Sequence, residues 1–412
     1  MNRGGVTEQQ AVAPRTGPPL EATKFTVATV ILAFSVLLLF LLNQIYMFGS
    51  TFQQASRSHD LQILLVNYDS NDGPIWNSLV NASRALQAAT YPTIVIGNPT
   101  QYPDPASLVH SVQEDHYWGA LYVHPGASDR FSAVVTGRIS SYNASNSISY
   151  VWNELRYAAI SLSVIQAALV ELHTAAQGIL QASTARTLIE QPNITQTALS
   201  AYLTPLQAVE INLSPSPQAS KAFYNTVIMA MAIVQQNVFL IAFSGMSTKF
   251  GLFSQPFKFS AGLYIIVGLA YTFVGALVPT VCMWTFREGW AISGSQFVET
   301  WLVIWFAMHI YYQLIDGTLA LFPLQVYSHL LVTFVFLNVT STIFPVELSA
   351  GFYRWGQSLP AFEVLQLLFN IWSQSSVRLY QSLPILFSWW VISASWSIAG
   401  LIKRRKDAAQ LL

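Results

Sequence analysis

The chain has 412 residues, 53% of them hydrophobic and only 9% charged, with 19 basic and 19 acidic residues and a formal net charge of zero. Soluble proteins carry about a quarter charged residues, so lipid must solvate much of this surface. The absence of a basic excess gives no electrostatic footprint for nucleic acid, and the single cysteine, Cys282, excludes an intramolecular disulfide and a cysteine-based zinc site.

Residues 1–24 are polar and rich in Pro, Gly and Thr, and read as a disordered cytosolic tail. The apolar run that follows Lys24 stays free of charge until Arg57, too long for the apolar region of a cleaved signal peptide. It predicts a first transmembrane helix over 25–47. Five further windows of low charge follow, near 224–245, 260–286, 297–320, 323–344 and 379–402. Each is close to the ~20 residues that cross ~30 Å of hydrocarbon. The expected fold is therefore an α-helical integral membrane protein with six transmembrane helices, one plus five, and a non-cytosolic α/β domain inserted between helices 1 and 2.

Basic residues set the expected orientation. Lys403, Arg404, Arg405 and Lys406 follow the last window and make 403–412 a basic cytosolic tail. Six crossings return the N-terminus to the same side, with Arg3, Arg15 and Lys24, and the short loop with Lys249 and Lys258 also falls inside. Residues 48–220 then fall outside. They contain six Arg, no Lys and eleven Asp or Glu. Four sequons lie there, at Asn81, Asn143, Asn193 and Asn212, as candidate N-glycosylation sites. A fifth, Asn338, lies in a span.

Within the outside segment, 61–67, 93–97 and 119–124 read as strands. Helices are expected over 74–89, with Pro74 in the first turn, and over 104–115, capped by Asp104. Alternating strands and helices predict a mainly parallel sheet. From Tyr150 to about Ala185 the periodicity is helical. Asp69, Asp72, His110, Asp115, His116 and His124 are the polar candidates here. No pair has metal-ligand spacing and there is no Gly-x-Ser-x-Gly elbow. Asp69 to Gly73 resembles a calcium loop only superficially, since the Glu at position 12 is missing, and reads as a turn. No cofactor, no metal and no enzymatic activity are expected.

The membrane domain, 221–402, holds the more interesting groups. Glu299, His309 and Asp316 fall on one span, and His309 and Asp316, seven apart, share a helical face. They could line a substrate path or a proton relay. Because the two acids fall near the span ends, the preferred reading is that they mark those ends, with His309 hydrogen-bonded in a packed interface. His329 lies on the next span, and an intramembrane enzyme would need Glu299, His309 and His329 in one cavity. The insertion 347–378 is too polar to span and too apolar for a free loop, and predicts interfacial or re-entrant helices at the outer surface. There is no Gly-x-x-x-x-Gly-Lys-Ser/Thr, hence no P-loop ATPase within the chain.

The layout, with the stretches LLVNYDSNDGP (64–74), WGALYVHPGASDRF (118–131) and GFYRWGQSLPAFEV (351–364), resembles the permease half of type-2 ABC exporters in their YhgE/Pip-like branch. More specifically it resembles the fungal nitrosoguanidine-resistance family. That resemblance implies a plasma-membrane protein that contributes to export of, or resistance to, toxic small molecules without an ATPase of its own. It also implies a hydrophobic small-molecule substrate and, by analogy with paired exporter halves, a homodimer or a partner ATPase. The alternative expectation is a non-transporting membrane protein that regulates lipid asymmetry or a partner transporter.

Overall fold

The structure is a computed structural model that describes residues 22–375 and 378–410; the expected N-terminal tail lies outside the described residues up to residue 21. The first helix, α1 (Ala22–Thr51), already includes Ala22 to Lys24. A sheet layer follows: β1 (Gln62–Asn67), α2 (Pro74–Leu86), β2 (Thr93–Gly97), α3 (Pro105–Gln113), β3 (Gly119–Val123), α4 (Ala127–Val135), β4 (Ile148–Trp152), α5 (Ala158–Ile160), a π-helical turn (Ser161–Gln166), α6 (Ala167–Ile189), α7 (Gln196–Leu203) and β5 (Ala208–Asn212). The remaining helices are α8 (Val227–Lys249), α9 (Phe257–Gly275), α10 (Leu277–Thr285), α11 (Gly294–Leu321), α12 (Leu324–Ile343), α13 (Pro360–Ser373) and α14 (Leu379–Gln410).

The sheet has the order β2-β1-β3-β4-β5, with every pairing parallel except β3 with β4. Alternation along each strand sorts two faces. Ile63, Leu65, Leu121 and Val123 pack with α2, α4 and α6, whereas Leu64, Val66, Ala120 and Tyr122 pack against α3. Asp104 caps α3 in a reciprocal box with Ser107, as its spacing predicts. Asp69 to Gly73 forms the predicted turn. Asn67 Oδ1 accepts from the Asp69 amide at 3.0 Å, and Asp69 Oδ2 accepts from the Ser128 amide of α4 at 2.8 Å.

The region from Tyr150 is a correction. Ile148 to Trp152 is a fully buried strand antiparallel to β3, and helix begins only at Ala158. An Ile-Ser-Tyr-Val-Trp run is strand-like in composition, but periodicity alone does not separate a short buried strand from the start of an apolar helix.

Among the described residues, six helices are long and apolar enough to cross a membrane: Thr23–Thr51, Ala158–Ile189, Val227–Lys249, Phe257–Thr285, Leu324–Ile343 and Leu379–Gln410. Five coincide with expected spans. Ala158–Ile189 takes the place of the expected window 297–320. Its apolar residues are explained by packing, since Leu169, Leu172, Ala176 and Leu180 are buried and α6 lies along α2. Conversely α11, 28 residues long, lies in the middle of the bundle, in contact with α8, α9, α10, α12, α13 and α14. A helix shielded from lipid by its neighbours need not be apolar all round.

Two further features concern the ends of the bundle. The insertion 347–378 is divided: Gly351–Ser358 is mostly exposed, with Phe352 and Trp355 open to the surroundings, whereas the helix after it is enclosed. Every residue of α13 from Pro360 to Asn370 is buried, wedged between α11, α12 and α14 on one side and the sheet layer on the other. Gln366 Nε2 donates to Tyr157 Oη at 3.3 Å, and Gln113 Nε2 donates to the Ser373 carbonyl at 3.1 Å. In the basic segment, α14 runs on to Gln410, the last described residue. Its arginines fold back along the bundle, Arg405 donating to Ser260 Oγ at 2.7 Å.

Candidate functional site: the polar seam of the bundle

Helical spacing puts polar and small residues of α11 and α14 face to face. On α11 these are His309, Gln313, Asp316 and Gly317; on α14 they are Ser393, Ser397, Gly400 and Arg404. Steps of three and four keep each set on one stripe.

Asp316 is fully buried and saturated. Arg404 Nη1 lies 2.5 Å from Asp316 Oδ1, and Arg404 Nη2 donates to the Asp316 carbonyl at 3.1 Å. Tyr264 on α9 donates to Oδ1 at 2.5 Å, and Ser397 donates to Oδ2 at 2.6 Å. The Tyr264 hydroxyl in turn accepts from Arg404 Nη1 at 2.8 Å. A charge removed from solvent is tolerable when it is both paired and hydrogen-bonded, and this one is.

His309 is buried four to seven residues further along the same stripe. Gln313 Nε2 lies 3.0 Å from His309 Nε2, and Ser393 donates to Gln313 Oε1 at 2.8 Å. Thr272 Oγ1 of α9 is 3.5 Å from His309 Nδ1. His309 and Asp316 therefore lie in adjoining polar clusters held by the same three helices, α9, α11 and α14. Glu299 does not join them. It is exposed, seventeen residues from Asp316 on the same helix, which is about 25 Å. His329 faces α1 instead, 3.5 Å from Ser35 Oγ. Glu299, His309 and His329 thus have separate surroundings, and no group of three His, Cys, Asp or Glu among the described residues could hold a metal ion.

Beside this seam lies an apolar cavity of ≈ 300 Å³ between α11, α12 and α14. Ile315, Thr318, Tyr327, Leu331 and Phe334 form its wall. Phe322, Leu330 and Trp396 at its rim are exposed, so it opens sideways from the bundle. Trp396 Nε1 donates to Thr318 Oγ1 at 3.1 Å, and Thr318 in the cavity wall shares one turn of α11 with Asp316.

Sequence reasoning missed Arg404, Tyr264, Gln313, Ser393 and Ser397. The signal was present in the 393, 397, 400, 404 spacing, but the basic run was read only for orientation. It also missed a buried acid on α13: Glu363 Oε2 accepts from Ser382 Oγ at 2.6 Å.

The polar candidates of the sheet layer are scattered. Asp69 is used by α4, and His124 Nε2 lies 2.8 Å from Ser149 Oγ. Burial raises the Asp115 carboxyl above its usual range, opposed by Arg156 at 3.2 Å.

The sequons differ in access. Asn193 is exposed in the loop before α7, Asn143 is exposed beside a 3₁₀ turn, and Asn81 is exposed on α2. Asn212 is tied into β5: its Nδ2 donates to Glu154 Oε2 at 2.7 Å. Asn338 is fully buried, its Oδ1 accepting from the Ala361 amide. Expressed through a eukaryotic secretory pathway, Asn193→Gln is expected to remove one glycosidase-sensitive mass step and Asn212→Gln none. A mass step lost from Asn212→Gln would contradict this ranking.

No curated protein and no solved structure matches this chain. The family described as "Protein of unknown function (DUF3533)" matches residues 30–395. That stretch takes in most of α1, the sheet layer, the wedge α13 and the α11 side of the polar seam, and the chain belongs to this family.

Proposed function

We propose that the protein is a multi-pass permease-like protein of the plasma membrane that contributes to export of, or resistance to, hydrophobic toxic small molecules. In this reading α1, α8, the α9–α10 pair, α11, α12 and α14 cross the bilayer. The sheet layer stands outside and both termini face the cytosol. Lys249, Lys258 and Lys403 to Lys406 cluster at one end of the bundle, which supports that orientation. The observation that carries the functional reading is the sideways-opening cavity between α11, α12 and α14. It is apolar, near the lower end of the ~300–1,000 Å³ range of ligand sites, and open where lipid-dissolved molecules would arrive. Its position against the Asp316–Arg404 pair gives a ligand there a charged seam to work on. The resemblance to nitrosoguanidine-resistance proteins and exporter permeases supports the same reading.

The test is retention of a lipophilic fluorescent cation such as rhodamine 6G in loaded cells. Cells carrying the protein are expected to retain less dye than cells without it. Leu331→Trp, which fills the cavity, is expected to bring retention back to the level of cells lacking the protein. Equal retention with and without the protein would overturn the proposal.

One observation favours a second reading, a non-transporting regulator of lipid asymmetry or of a partner. Asp316 is already neutralised by Arg404, which leaves the seam without an evident energy input. In that case Glu299→Gln and the charge-free double variant Asp316→Asn with Arg404→Gln leave the resistance phenotype intact. As for partners, α1 packs on α12 and leaves most of its length exposed, including Val30, Phe34 and Leu37. That face has room for lipid or a second copy.

A further inference from the structure

A second cavity, of ≈ 350 Å³, lies where the sheet layer meets the bundle. Tyr157 and Leu162 wall it on one side, Phe344 at the end of α12 on another, and Phe369 and Trp372 of α13 form its floor. Lys221, in the linker before α8, stands in its wall. Three features separate it from an ordinary packing gap. Tyr157 holds a left-handed backbone at φ +51°, a conformation that bulky residues adopt only when the surroundings impose it. The next segment, Ser161–Gln166, is a π-helical turn, a distortion found frequently at functional sites. The aromatic floor continues into a cluster of Tyr224, Trp290 and Trp372, with ring centres 5.5–5.8 Å apart. Tyrosine and tryptophan gather in this way at the level of lipid headgroups.

Lys221 supplies the polar end. An ammonium has three donors. Two are used, on Glu154 Oε1 and on the Ser216 carbonyl at 2.6 Å; no protein acceptor for the third is found among the described residues. A phosphate oxygen at the mouth of the cavity would take that donor, while one apolar chain lies against Phe344, Phe369 and Trp372. The volume suits a single chain rather than two. We infer that this junction is a phospholipid-binding site, with the phosphate at Lys221 and one acyl chain in the cavity floored by α13. The inference concerns binding, so it stands or falls separately from transport.

The test uses the full chain in phosphatidylcholine nanodiscs doped with a phosphatidylcholine that carries a diazirine in one acyl chain. After irradiation, peptides containing Phe344 and 369–372 are expected to be labelled well above the lipid-facing α1 peptide. Ala159→Trp and Ala222→Trp fill the cavity from different walls. Each is expected to cut that labelling about tenfold, with α1 labelling unchanged. A diacylglycerol with the same diazirine chain is expected to label the cavity more weakly. Lys221→Arg, which retains a cation for Glu154, is expected to preserve the preference for the phospholipid. Cavity labelling no stronger than that of α1, or unchanged in both tryptophan variants, would overturn the site. Equal labelling by diacylglycerol would overturn the role of Lys221.

Discussion

Replacing Arg404 by Ala is expected to be among the most destabilising single changes in the bundle, at about 3–5 kcal/mol, because it leaves the Asp316 carboxylate buried without its cation. Two hydroxyl donors remain, Tyr264 and Ser397, but neither carries charge. The pair as a whole is a different matter. Removing both charges together, as in Asp316→Asn with Arg404→Gln, should recover most of the loss, since the desolvation of two ions disappears along with their attraction. The measurement is the thermal unfolding midpoint of the detergent-solubilised protein for the two single variants and the double variant. An unchanged midpoint for Arg404→Ala would mean that the pair does not hold α14 to α11. Losses that simply add in the double variant would mean that the two residues act independently.

The second large effect belongs to Gly317, two helical faces meeting with nothing between them. A Cβ there would lie 2.6 Å from the Trp396 carbonyl oxygen and 2.7 Å from its carbonyl carbon. Both are backbone atoms, which cannot swing aside as a side chain can. Across the seam, a Cβ on Gly400 would lie 3.0 Å from Gly317 Cα. Small residues at such a crossing let two helices approach closely, which is the main source of helix affinity within lipid. Gly317→Val should therefore force α14 outward, break the Asp316–Arg404 geometry with it, and cost about 3 kcal/mol, the upper end of the usual cost of overpacking. Gly262→Ala on α9 is the control. Nothing lies within 4 Å of its Cβ position, so it should be neutral or gain a few tenths of a kcal/mol from helix propensity. Comparable losses in the two variants would point to a general intolerance of helix substitution rather than to the seam.

How much of this could be read from the chain follows from how local each signal is. Gln62–Asn67, Pro74–Leu86, Thr93–Gly97 and Pro105–Gln113 are bounded by their own turn and capping residues, so they stood out in order. The lipid-facing helices announced themselves as charge-free windows. The strand Ile148–Trp152 did not, because its identity depends on β3 lying next to it, and its residues run without a break into an apolar helix. The burial of α13 depended on surfaces contributed by four other elements. The seam was half legible: His309 and Asp316 are seven apart and could be placed on one face. The partner of Asp316 is 88 residues away, in a run whose charge already had an explanation in membrane orientation. Glu299 was grouped with them by proximity in sequence alone, and a rigid helix carries it about 25 Å out of reach.

The wedge α13 has one more consequence. A single continuous hydrophobic core includes Leu121 and Tyr150 of the sheet, Leu365 and Phe369 of the wedge, and Ile304 and Met308 of the central helix. The sheet layer is therefore not a separate body on a hinge. Through α13 it shares its core with α11 and α14, the two helices that carry the polar seam. The two cavities are therefore hollows in one packed body, some two dozen ångströms apart along α12, at ~1.5 Å per residue from Tyr327 to Ile343.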